Sequence, residues 1–311
     1  MTRIHDALRK AAQEEAANPG REDSLAGAKR GATRQEGGPA TDPENVVVMP
    51  VGEGKEPLTQ LTYELLMARC RHPHWSPDPK TILFFSAQNH TYGTEEFRTL
   101  RSRLYQIRAK QPLRTVLITS ALPGEGKSFT VANLALTIAR QHERRVLMID
   151  ADLRLPNLHT SVGAPLTPGL SDYLLGEADE LSIIQKGSRP NLFFIPGGKA
   201  IANPAELLGN GRLKNLLRRL APVFDWILLD SPPVVPISDA CLLSELSDGV
   251  LLVVKAAATP VELAQKACRE FQGKGKPLLG VVLNRVKRGA SYSSYYYNHY
   301  PPAAEIGSDK S

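Results

Sequence analysis

The segment Pro123-Gly-Glu-Gly-Lys-Ser128 follows the apolar run Thr115-Val-Leu-Ile-Thr119 and precedes Phe129-Thr-Val-Ala-Asn-Leu-Ala-Leu-Thr-Ile-Ala139, a good helix former. A glycine loop between a strand and a helix start is the context in which backbone N–H groups cradle phosphate oxygens. Gly124 and Gly126 permit close backbone approach, with Pro123, Glu125 and Phe129 completing the loop and its exit. Lys127 has the reach for β and γ oxygens, and Ser128 offers a hydroxyl to Mg²⁺. The first glycine of the pattern G-x-x-x-x-G-K-[ST] is replaced by Ala121. These residue types at this spacing predict a site for Mg-ATP.

A magnesium nucleotide site also needs carboxylates opposite the loop. Asp230 closes Trp226-Ile-Leu-Leu-Asp, and Asp150 and Asp152 end the apolar run Val146-Leu-Met-Ile, where alternation along an extended segment points both to one side. Single acids at strand ends are common as caps, but three converging on a phosphate loop predict a metal site. A second concentration of reactive groups is Ser291-Tyr-Ser-Ser-Tyr-Tyr-Tyr-Asn-His-Tyr300, which holds five of the nine tyrosines: Tyr292, Tyr295, Tyr296, Tyr297 and Tyr300. It lacks aliphatic partners and ends in Pro301-Pro302, so a flexible tail with exposed phenols is expected over 289–311.

The elements that must position these groups are legible as alternation. Thr115–Thr119, Val146–Ile149, Leu192–Ile195, Trp226–Leu229, Val250–Val254 and Leu279–Leu283 are short apolar runs separated by helix-length segments. Strands buried on both faces have this pattern, which predicts an α/β fold with a mostly parallel sheet, helices on both faces and ligands at the carboxyl ends of the strands. Ahead of it, residues 1–17 are expected to form a short amphipathic helix, 18–55 a disordered linker and 56–79 a helical, proline-rich lead-in. Within the lead-in the helix is expected over Pro57–Ala68, with Pro57 at its first position, followed by an extended Thr81-Ile-Leu-Phe-Phe85. The phosphate-loop domain is expected over 80–288.

With 38 basic and 32 acidic residues the net charge of +6 is mild and dispersed, which argues against nucleic acid as a partner. Cys70, Cys241 and Cys268 are odd in number and far apart, as expected of ordinary thiols in a reducing compartment. No apolar run approaches the roughly 18–20 residues needed to span a bilayer, so a cytoplasmic location is expected.

The loop, Asp150-Ala-Asp-Leu-Arg154 and Leu229-Asp-Ser-Pro-Pro233 resemble the three Walker motifs of the bacterial tyrosine kinases of polysaccharide biosynthesis. Gly169-Leu-Ser-Asp-Tyr-Leu174, Asn203-Pro-Ala-Glu-Leu-Leu208, Ser238-Asp-Ala240, Asp248-Gly-Val-Leu-Leu-Val-Val254 and Gly280-Val-Val-Leu-Asn-Arg285 extend the resemblance over about residues 80–288, and Met1–Lys10 is similar to the start of free-standing Gram-negative members. The fold so implied is the P-loop NTPase fold, like that of the Min and partition ATPases. Those switch ATPases are the rival reading, but they carry a signature lysine at the position of Leu122 and a glycine at that of Pro123.

The resemblance implies a tyrosine autokinase that phosphorylates its own C-terminal cluster. Lys127 would hold the phosphates, Ser128, Asp150 and Asp230 would serve the metal, Asp152 would be the base for the tyrosine hydroxyl, and Arg154 would stabilise transferring charge. Asn284 and Arg285 would lie on the adenine side. Glu95-Glu-Phe-Arg-Thr-Leu-Arg101 resembles the family's assembly motif, so Glu95, Arg98 and Arg101 are expected at the interface of a ring-like homo-oligomer. A tail extending at ~3.3 Å per residue reaches a neighbour's site more easily than its own. The family also implies a separate membrane co-polymerase that activates the kinase and holds it at the inner face of the plasma membrane, in control of capsule or exopolysaccharide synthesis and export.

Overall fold

A computed structural model of the chain describes residues 61–83, 93–141, 143–187, 189–272 and 277–286. The segments 1–17 and 18–55, Pro57 and the tail tyrosines Tyr292, Tyr295, Tyr296, Tyr297 and Tyr300 lie outside the described residues. The described strands are β1 (Thr115–Ser120), β2 (Val146–Asp150), β3 (Gln185–Lys186), β4 (Leu192–Ile195), β5 (Trp226–Asp230), β6 (Gly249–Lys255) and β7 (Leu278–Asn284). They form one sheet in the order β3-β4-β2-β5-β1-β6-β7. All neighbours are parallel except β3 and β4. The six expected runs are all strands. β3, two residues long, carried no apolar signal; it is held by backbone pairing to Phe193 and Phe194 and by the Gln185 side-chain amide on the Pro165 carbonyl.

Alternation along the buried strands divides the core into two layers. Val116, Ile118, Val146, Met148 and Leu228 point to one side, where α2 (Thr94–Arg108), α3 (Lys127–Ala139) and α4 (Leu158–Val162) bury Phe97, Leu104, Val131, Leu134, Ile138 and Leu158. Leu117, Leu147, Ile149, Ile227 and Leu229 point to the other. That side is covered by α1 (Tyr63–Arg69), α5 (Leu170–Leu175), α6 (Ala205–Gly209), α7 (Arg212–Leu220), α8 (Asp239–Glu245) and α9 (Val261–Gln272). Each fully buried leucine contributes about 1.5–3 kcal/mol relative to exposure, so the sheet is a rigid base for what lies at its strand ends.

Two expectations near the domain's start are corrected. Among the described residues the first helix runs Tyr63–Arg69, leaving Leu61 and Thr62 outside it: Thr62 is extended and its hydroxyl accepts from the Leu65 N–H, a side-chain N-cap. Within this segment Leu61, Leu66 and Cys70 belong to the core, and Tyr63 meets Phe193 edge-on at 6.4 Å. Thr81–Leu83 is not extended. The N–H groups of Thr81 and Ile82 turn back to the Asp78 carbonyl, and Asn133 of α3 bonds both the Thr81 carbonyl and the Leu83 N–H.

Candidate active site

β1 delivers the chain at Ser120 into the loop that enters α3. Gly126 takes the left-handed conformation (φ 99°), and a Cβ there would fall 2.1 Å from Nδ2 of Asn284, so both conformation and space require glycine. No side chain caps α3, which leaves the first-turn N–H groups of a 13-residue helix for a ligand to satisfy. The loop is braced from within. Glu125 is buried, its carboxylate accepting from the Leu122 N–H (2.8 Å) and the Thr259 hydroxyl, while Asn284 donates to the Glu125 carbonyl at 2.8 Å. Glu125 therefore shapes the loop and keeps its charge turned away from an incoming anion. Asn284, expected on the adenine side, forms a strut between β7 and the loop.

Opposite the loop, Asp150 and Asp230 are in register at the ends of β2 and β5, both buried. Asp150 is tied to backbone: Oδ1 accepts from the Asp152 N–H, and Oδ2 from Asn157 and Leu158 at 3.0 Å each. Burial raises its pKa well above the ordinary value, and the Asp230 charge raises it further. Burial likewise pushes Asp230 up to about 6, opposed by Lys127 and by a hydrogen bond with Ser128. Oδ1 of Asp230 is buried without a hydrogen-bond partner. An orphaned carboxylate oxygen beside a serine hydroxyl is a hard-oxygen donor set that fits Mg²⁺, and a divalent cation would offset both carboxylate charges.

Asp152 completes the cluster. Its carboxylate lies 3.8 Å from Nζ of Lys127, with both side chains only about one-tenth exposed, at 12% and 11%. Burial raises the Asp152 pKa and the Lys127 charge lowers it, leaving a net upward shift. The structure thus brings together Lys127, Ser128, Asp150, Asp152 and Asp230. A cleft of about 540 Å³ near Arg114, Thr115, Lys214 and Asp248 sits at the opposite ends of the strands and carries none of these groups.

Other expected residues are placed elsewhere. Arg154 makes a two-pronged pair with Asp239 (2.7 and 3.1 Å) and donates to the Ala202 carbonyl, contacts that hold the β2 exit loop. Asp239, within Ser238-Asp-Ala240, is a residue that local motif spacing does not reveal, because its partner Arg154 is 85 positions away. The Phe129 ring packs 5.9 Å from Phe97 of α2, leaving its backbone as the part that can face a phosphate. Arg285 is exposed and takes φ 56° at the β7 exit. On α2, Glu95 and Arg98 are ion-paired with each other, whereas Arg101 turns inward and donates to the Thr137 carbonyl of α3 at 2.8 Å. The assembly motif is thus partly an internal clamp on the helix that carries Lys127.

A family model described as an AAA domain matches residues 113–271. Tyrosine-protein kinase YwqD of Bacillus subtilis is 36% identical over 205 residues, which is 66% of this chain and 86% of that protein. Tyrosine-protein kinase wzc of Salmonella typhimurium is 31% identical over 207 residues, 66% of this chain but 29% of the longer relative. Among solved structures, the kinase domain of the Escherichia coli tyrosine kinase ETK superposes with a TM-score of 0.63 at 30% identity, covering 71% of this chain and 85% of that one. A parallel sheet with a phosphate loop at the centre and carboxylates on the adjoining strands is the P-loop NTPase fold, and with these relatives the chain belongs to the bacterial tyrosine-protein kinases.

Proposed function

We propose that the chain transfers the γ-phosphoryl group of Mg-ATP to tyrosines of its own C-terminal cluster, between copies in a ring-like homo-oligomer. The observation that carries this reading is the Lys127–Asp152 pair beside the orphaned Asp230 oxygen: a cation for phosphate, a base for an acceptor and a donor set for a metal in one recess. Lys127 and the α3 amides would hold the β and γ phosphates. Bound Mg²⁺, taken by Ser128 and Asp230, would neutralise phosphate charge. Asp152 would accept the phenol proton as the tyrosine oxygen forms its bond to γ-phosphorus and the bond to the β,γ-bridging oxygen breaks, releasing ADP. Its raised pKa makes it a better base than an exposed carboxylate, yet a phenol near pKa 10 is far weaker as an acid, so alignment and charge stabilisation must supply most of the acceleration. Asp150 would act mainly by fixing the loop that presents Asp152.

Family membership supports the kinase reading, and the tyrosine cluster supplies an acceptor. Each phosphotyrosine adds about −1.5 to −2 charges, enough to oppose docking at an anionic site or a subunit interface through Glu95 and Arg98, so phosphorylation and assembly would alternate. A role in exopolysaccharide or capsule synthesis and export, with a membrane co-polymerase as activator and anchor, follows from the family resemblance. Among the described residues no helix is long and apolar enough to cross a membrane. The test is incubation of the full chain with Mg-ATP and mapping of modified residues by mass spectrometry, alongside Lys127→Met. Phosphotyrosine in the cluster, absent from the variant, is expected. ATP hydrolysis with no phosphotyrosine, even with the co-polymerase's cytoplasmic segment added, would replace the kinase by a switch ATPase.

A further inference from the structure

The loop between Asp150 and Asn157 presents one side chain that its surroundings do not explain. Leu155 is 78% exposed, the highest value among the large apolar side chains of the described residues. It is not at the tip of a loose loop. Its own N–H donates to Oδ1 of Asp152 at 3.2 Å, which ties its backbone to the candidate base. On one side Arg154 is fixed by its two bonds to Asp239 and a third to the Ala202 carbonyl. On the other, Pro156 lies against Gly197 so closely that a Cβ there would approach it to 2.6 Å. Leu153 accepts from the Ile201 N–H at 2.7 Å, and Asp150 holds the loop's far end through Asn157 and Leu158. Every neighbour of Leu155 is anchored, and Leu155 is held in water.

We infer that Leu155 is the apolar lip on which the ring of the acceptor tyrosine from a second copy rests, making it a specificity-determining residue for a phenol over an aliphatic hydroxyl. The inference rests on the kinase reading. Asp152 and Lys127 lie recessed, with about one-tenth of each side chain exposed, while the lip three residues on stands clear. A phenol oxygen lies a full ring farther from its backbone than a serine hydroxyl does. A tyrosine can therefore reach the recessed carboxylate while its backbone stays outside, and the ring then crosses the lip, where apolar contact replaces exposed leucine surface. A serine or threonine would have to bring its polar backbone over the same apolar lip and would leave it unsatisfied. The contact belongs to the acceptor, so it governs acceptor binding and leaves the phosphate loop untouched.

The test uses the full chain as enzyme and a synthetic peptide of residues 289–302 as acceptor, with initial rates of phosphotyrosine formation for the natural protein, Leu155→Ser and Leu155→Met. Loss of one apolar contact predicts a KM for the peptide raised about fivefold or more in Leu155→Ser, with the KM for ATP and the melting temperature held, and recovery in Leu155→Met, which restores an apolar surface. An unchanged peptide KM in Leu155→Ser, while the natural enzyme labels the peptide, overturns the assignment and leaves the kinase reading standing. A rise in the KM for ATP that matches the rise for peptide also overturns it, since the residue would then act on the loop as a whole. If the natural enzyme labels neither its own tail nor the peptide, the kinase reading falls and this assignment falls with it.

Discussion

Asp150 and Asp230 give the same signal in sequence, an acid closing an apolar run, and they occupy paired positions on adjoining strands. Their surroundings separate them. Three backbone N–H groups converge on Asp150, and each of its oxygens is used. Asp230 keeps one buried oxygen with no hydrogen-bond partner and meets Lys127 and Ser128 with the rest of its charge. One carboxylate therefore builds the exit loop that carries Asp152, and the other keeps a buried oxygen open to a ligand. Burial opposes ionisation of both, and the backbone donors on Asp150 and the Lys127 and Ser128 contacts of Asp230 offset part of that cost.

Substitution should split the two most visibly. Asp230→Asn is expected to slow phosphotyrosine formation by about 10²–10³-fold, the scale of losing a charged group aimed at the transferring phosphate, while the melting temperature of the ligand-free protein rises by a few degrees. Asp150→Ala strands three N–H groups and is expected to lower it, by on the order of 5–10 °C for a loss of roughly 2–3 kcal/mol. Scanning fluorimetry of both variants breaks the comparison if Asp230→Asn melts lower or Asp150→Ala melts as the natural protein does. Metal should sharpen it: added Mg²⁺ with a nucleotide raises the melting temperature of the natural protein and has a much smaller effect on Asp230→Asn.

Acid titration gives a further, smaller separation. The folded-state pKa of Asp230, about 6, lies above the unfolded value near 3.8. Between these values the folded state holds a proton the unfolded chain has released, so the Asp230 contribution to ligand-free stability falls as pH rises through that window, and Asp150 and Asp152, raised in the same direction, add to the fall. Melting curves from pH 4 to pH 7 should show that fall, with a shallower slope in Asp230→Asn; equal slopes would mean that Asp230 is not the group responsible. The smallest effect is expected at the loop's strut. Asn284→Ala removes one bond to the Glu125 carbonyl and should raise the KM for ATP a few-fold, consistent with about 1 kcal/mol, with the melting temperature nearly held.

Apolar runs of four or five residues made six strands and their mostly parallel pairing readable, because strands buried on both faces must be apolar throughout. The loop and the acids were readable because phosphate and metal binding restrict residue type at fixed places along a strand. What the sequence could not show is where long-range polar pairs close. Arg154 has the composition of a charge stabiliser, and only the fold reveals that Asp239 at the start of α8 holds it. The inward turn of Arg101 to α3 was hidden because residues three apart share a helix face without revealing what lies opposite it. Glu125 read as part of a phosphate site, yet its carboxylate faces Leu122 and Thr259, a bond set by a residue 134 positions on. The Thr62 cap of the helix Tyr63–Arg69 was hidden because a cap acts through local backbone geometry that apolar periodicity does not register.

The central claim is transfer from the loop of one copy to the tail of another. It is tested most directly by mixing two chains with Mg-ATP. One carries Lys127→Met with its tail intact; the other keeps Lys127 but has phenylalanine at Tyr292, Tyr295, Tyr296, Tyr297 and Tyr300. Phosphotyrosine is expected on the tail of the Lys127→Met chain in the mixture, and on neither chain incubated alone. ATP consumed in the mixture with no phosphotyrosine on that tail would contradict the account.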